Sequence, residues 1–62
     1  MIRYKLVDHG GYVRIYLLVE SLLGTVISQS YKDIKAPVVP ILETQSELER
    51  WWNLCKSPEK YA

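Results

Sequence analysis

Hydrophobic and polar residues alternate along the first twenty positions. In residues 2–7 (IRYKLV), Ile2, Tyr4 and Leu6 fall on one side and Arg3 and Lys5 on the other, the period-two pattern of a half-buried strand. Residues 12–20 (YVRIYLLVE) alternate again, with Val13, Ile15, Leu17 and Val19 in phase. Between them lies Asp8-His9-Gly10-Gly11, whose glycines allow the positive φ of a tight hairpin turn. An even-numbered loop pairs Leu6 with Val13 or Ile15 and gathers both apolar sets on one face, whereas a slip of one residue mixes them.

The following stretch fits two periods. Ile15, Leu18, Val19, Leu22, Leu23 and Val26 match the i, i+3, i+4 spacing of an amphipathic helix. The β-branched and aromatic content of residues 12–16, the Gly-Gly turn and Gly24 favour strand instead. On that reading residues 21–24 turn the chain and residues 25–31 (TVISQSY) form a third antiparallel strand. Ser28, Gln29 and Ser30 leave its buried face undefined.

Residues 32–43 contain Pro37 and Pro40 and read as an extended connection, since proline cannot donate within a central strand. Their P-x-x-P spacing has no well-placed flanking Arg for an SH3-like groove and reads as a stiff linker. The spacing then predicts a helix over residues 45–56. Thr44 with Glu47, or Ser46 with Glu49, forms a capping box, and Leu48, Trp51, Trp52 and Cys55 make one apolar stripe. Ser57-Pro58 ends it, because the residue before proline avoids the α region.

These elements give a single α+β domain over residues 1–62, in β-β-β-α order. A small antiparallel sheet of three strands, with room for a fourth, packs one face against the C-terminal helix. The expected core joins Leu48, Trp51, Trp52 and Cys55 to Ile2, Tyr4, Leu6, Val13, Ile15 and Leu17. A small barrel with a terminal helix is the nearest rival.

Composition narrows the picture. With 62 residues, 48% of them hydrophobic and 24% charged, the chain is globular in character and has the length of one domain. A domain this small buries only about 60% of its unfolded surface, so two Trp and five Tyr are the expected source of a dense core. A net charge of +1 gives no general hold on nucleic acid or anionic lipid. The single Cys cannot form an internal disulfide and points to a reducing, cytoplasmic setting. The most apolar stretch, residues 15–27, is interrupted by Glu20 and falls short of the roughly 18 residues of a spanning helix. Asp8, His9 and Arg14 break up any secretory leader, so no membrane association is expected.

Candidate chemistry is sparse. Cys55 lies on the apolar helix stripe, where a thiol is inert, and His9 is a turn residue beside two glycines. Asp8, His9 and Cys55 are too few for a closed metal site, and Gly10-Gly11 lacks the companions of a phosphate loop. No cofactor is implied, a toxin-like nuclease would lack its acid–base pair, and the chain is not expected to be an enzyme.

Two surfaces remain. Leu22 and Leu23 in a turn, Val38 and Val39 in the connection, and Trp52 and Leu54 on the helix are apolar where solvent is expected. They suggest a non-catalytic protein that docks on a larger cytosolic protein, as an adaptor or stoichiometric inhibitor of the kind small phage genes encode, or that associates with itself. That comparison with phage genes rests on size alone. The alternative is a DNA- or RNA-binding module using Arg3, Lys5, Tyr12, Arg14 and Tyr16 on the outer hairpin face, where basic side chains interleave with aromatics. Residues 1–19 carry three basic side chains against one acidic.

In outline, three strands followed by a helix resembles the arm-type DNA-binding modules of phage-type integrases. The matching pieces are residues 11–16 (GYVRIY), 28–31 and 44–52, in order and character rather than by motif. That resemblance implies a sheet entering the major groove with the helix behind it. The proline-containing connection is longer and the basic content lower than in such modules, and no residue role carries over.

Overall fold

The structure, a computed structural model, describes residues 1–35 and 44–62. Strands β1 (Ile2–Asp8), β2 (Val13–Glu20) and β3 (Val26–Ile34) are followed by helix α1 (Gln45–Leu54) and a two-residue strand β4 (Lys60–Tyr61). All pairs are antiparallel, in the order β1-β2-β3-β4. This is the expected α+β architecture, and residues 15–27 are strand and turn, not helix. The fourth strand comes from the C-terminus, where two residues are too short to show a period.

The first turn follows from glycine. β1 and β2 pair Leu6 with Ile15 and Asp8 with Val13, leaving Gly10 and Gly11 as the two-residue loop. Gly10 has φ +90° and Gly11 does not enter the positive region, so the first loop position is the one that requires glycine. His9 N–H donates to the Tyr12 carbonyl at 2.9 Å, and the Asp8 carboxylate accepts from Gly10 N–H at 2.8 Å.

The second turn has a different geometry. Ser21 N–H donates to Thr25 O at 2.8 Å and Gly24 N–H to Ser21 O at 3.0 Å, with Gly24 at φ +84°. A three-residue loop of this kind ends in a left-handed residue. The register then slips by one: Val19 faces Ser28 but Glu20 faces Val26, so Ile27 is the extra residue of a bulge.

Alternation puts Tyr4, Leu6, Ile15 and Leu17 on the helix side of the sheet. The fully buried Ile15 packs with Leu48 and Trp52, and Tyr4, Leu6, Leu17, Ile34 and Trp51 surround them. Ile2, expected in this core, is 60% exposed, because α1 begins beside Tyr4 and does not extend over the first residue of β1. Cys55, also expected there, is the half-buried C-cap of α1. Thr44 is the N-cap, its hydroxyl accepting from Glu47 N–H at 3.2 Å.

β3 runs three residues beyond its expected end. Its helix-facing positions are Ser28, Ser30, Lys32 and Ile34, opposite Val19, Leu17, Ile15 and Val13. Ser30 is buried. Lys32 lays its stem along the core, its ammonium 4.4 Å from the Trp52 ring centroid and 3.1 Å from the Trp52 carbonyl oxygen. A charged residue on an inner face hides the apolar pattern that would have extended the strand.

Candidate contact surface

The sheet has two edges, and both are interrupted. Gln45 sits on the outer edge of β1, its amide bonded to both the N–H and the carbonyl of Tyr4 at 2.7 and 3.0 Å. β4 covers β3 at Ser30 and Tyr31, and the Ser57 hydroxyl donates to the Asp33 carbonyl on the same edge. The bulge at Ile27 disturbs the rest of that edge. Such features block strand addition from outside.

The end of the sheet opposite the glycine turn is different. Leu22 and Leu23 are 93% and 94% exposed at the tip of the second turn, and the bulge turns Ile27 out to 69%. Val26 beside them is 46% exposed. Across β2, the first residue of the chain is hydrogen-bonded to Glu20 in both directions, which brings Met1 and Ile2 to the same end. Exposed aliphatic side chains from three separate segments thus gather at this end of the sheet. Residues 21–31 contribute no acidic or basic side chain to it, and Met1 brings the N-terminal ammonium. Leu22 and Leu23 are legible as contact candidates in the sequence. Val26, Ile27, Met1 and Ile2 are not, because strand periodicity assigns them to a sheet without revealing the bulge or where the helix begins.

The other contact candidates separate. Trp52 is only 6% exposed and forms the core, so it provides no contact surface; the expectation that it is an outer anchor is corrected by its packing on Ile15 and under Lys32. Leu54, two residues after Trp52 and therefore on another face of α1, is exposed. It borders a groove of about 480 Å³ with Ile34, Trp51 and Cys55, flanked by Lys35 and Lys56. Val38 and Val39 lie outside the described residues.

The outer face of the hairpin carries the basic and aromatic residues expected there, but in a particular arrangement. Arg3 pairs with Glu20 at 3.0 Å. Arg14 reaches across to Asp33, with Nε–Oδ1 2.8 Å and Nη2–Oδ2 3.4 Å, while its guanidinium lies 4.0 Å from the Tyr31 ring centroid and 5.6 Å from that of Tyr12. Tyr12 stacks on His9 at 5.1 Å, and Tyr16 meets Tyr31 at 5.8 Å. The hydrogen bond from Arg14 holds the Asp33 carboxyl below its ordinary range against an opposing effect of burial, and Lys60 and His9 add to it. The same bond raises the Arg14 guanidinium pKa further. Leu18, on this open face, is nevertheless buried, bordered by Lys5, Tyr16 and Gln29. Of the basic groups on this face, Lys5 alone among the described contacts has no acidic partner.

Among the described residues no cluster of His, Cys, Asp or Glu is placed to hold a metal ion, and no helix is long and apolar enough to cross a membrane. No protein family matches the chain, and neither a curated protein nor a solved structure shows significant similarity to it. The outline likeness to integrase arm modules therefore rests on element order alone.

Proposed function

We propose that this protein acts by contact, without catalysis, and that its contact surface is the aliphatic end formed by Leu22, Leu23 and Ile27 with Met1 and Ile2. The observation that carries this reading is the near-complete exposure of Leu22 and Leu23 on a tightly hydrogen-bonded turn. Neighbouring leucines presented on a rigid support offer apolar area with little ordering cost when a partner covers them. An adaptor or stoichiometric inhibitor works in this way, and the free thiol of Cys55 suits a reducing cytoplasm.

The nucleic-acid reading of the open face has aromatic rings in its favour and engaged arginines against it. To bind phosphate, Arg3 and Arg14 must first leave Glu20 and Asp33. A photo-crosslinking residue placed at Leu22, at Tyr16 or at Lys56 separates the surfaces in living cells. Protein adducts from position 22, with few from 16 and 56, are expected. Nucleic-acid adducts from position 16 and none from 22 would reverse the assignment.

A further inference from the structure

We draw no further inference here: the strongest candidate, the exposed apolar patch of Leu22, Leu23 and Ile27 at the end of the sheet opposite the glycine turn, belongs to the contact surface already proposed, and nothing in the structure shows what covers it.

Discussion

The side-chain amide of Gln45 pairs with Tyr4 as a neighbouring strand would. Its oxygen accepts from Tyr4 N–H at 2.7 Å and its nitrogen donates to Tyr4 C=O at 3.0 Å. One residue of the helix thereby ties α1 to β1 and closes the middle of an exposed sheet edge. With this edge occupied, the exposed aliphatic side chains of the sheet lie at the end that carries Leu22 and Leu23.

Gln45→Ala removes both bonds and is expected to cost about 1 kcal/mol of stability, the net value of exposed hydrogen bonds being modest. Amide hydrogen exchange at Tyr4 is expected to accelerate more than at Lys5, whose N–H faces β2. Gln45→Glu keeps the acceptor for Tyr4 N–H but sets a carboxylate against the Tyr4 carbonyl, so it is expected to fall between wild type and alanine. Equal exchange at Tyr4 in all three proteins would show that the pairing does not hold the edge.

The two adjacent glycines have different expected costs. Neither has an atom within 4 Å of where a Cβ would stand, so sterics with neighbours do not distinguish them. Gly10 is at φ +90°, and alanine there is expected to cost roughly 1 kcal/mol or more. Gly11→Ala is expected to be neutral or stabilising by about 0.4–1 kcal/mol through a less flexible unfolded chain. Thermal melts of the two single variants decide this, and similar Tm losses would contradict the turn geometry.

Lys32 contributes through its stem and its charge, and these can be separated. Its ammonium meets the Trp52 ring and the Trp52 carbonyl near the C-terminal end of α1, where a cation suits the helix dipole. Lys32→Met keeps the packing and loses the charge, with an expected cost of about 1 kcal/mol. Lys32→Ala loses both and is expected to cost about twice that. Urea unfolding followed by tryptophan fluorescence measures each, and equal effects would assign the role to charge alone.

Acid should weaken the outer face through Asp33. Its carboxyl is held below the ordinary value near 3.8, chiefly by the hydrogen bond from Arg14. The folded state therefore binds this proton less readily than the unfolded state. The stabilisation is complete above that ordinary value and disappears as pH falls through the lowered one. Wild type and Asp33→Asn are expected to differ in urea midpoint at pH 7 and to converge in acid once pH falls below the lowered Asp33 pKa. A difference that persists unchanged in acid would show that the Arg14 pair contributes nothing through charge.

The legible parts of the fold share a simple physical basis. The hairpin register follows from period-two alternation plus two glycines, and the helix start from the Thr44–Glu47 cap, so both are local. The last residues of β3 are not local: Lys32 is tolerated on the inner face only because Trp52 receives it, and Asp33 only because Arg14 answers it across the strands. The contact surface is half legible for the same reason. Leu22 and Leu23 stand out as leucines in a turn. Ile27 is exposed by a one-residue bulge, and of the two readings open for Trp52, its place on the apolar stripe of α1 is the one that packing realises.

The most direct test reads which methyl groups become covered. A soluble paramagnetic cosolute broadens exposed methyl resonances, and spectra of the labelled protein alone and in cell lysate report their accessibility. The contact reading predicts that the methyls of Leu22, Leu23 and Ile27 lose cosolute exposure in lysate, while Leu54 keeps its own. Leucines 22 and 23 that stay as accessible in lysate as alone, or protection that appears at Leu54 instead, would contradict it.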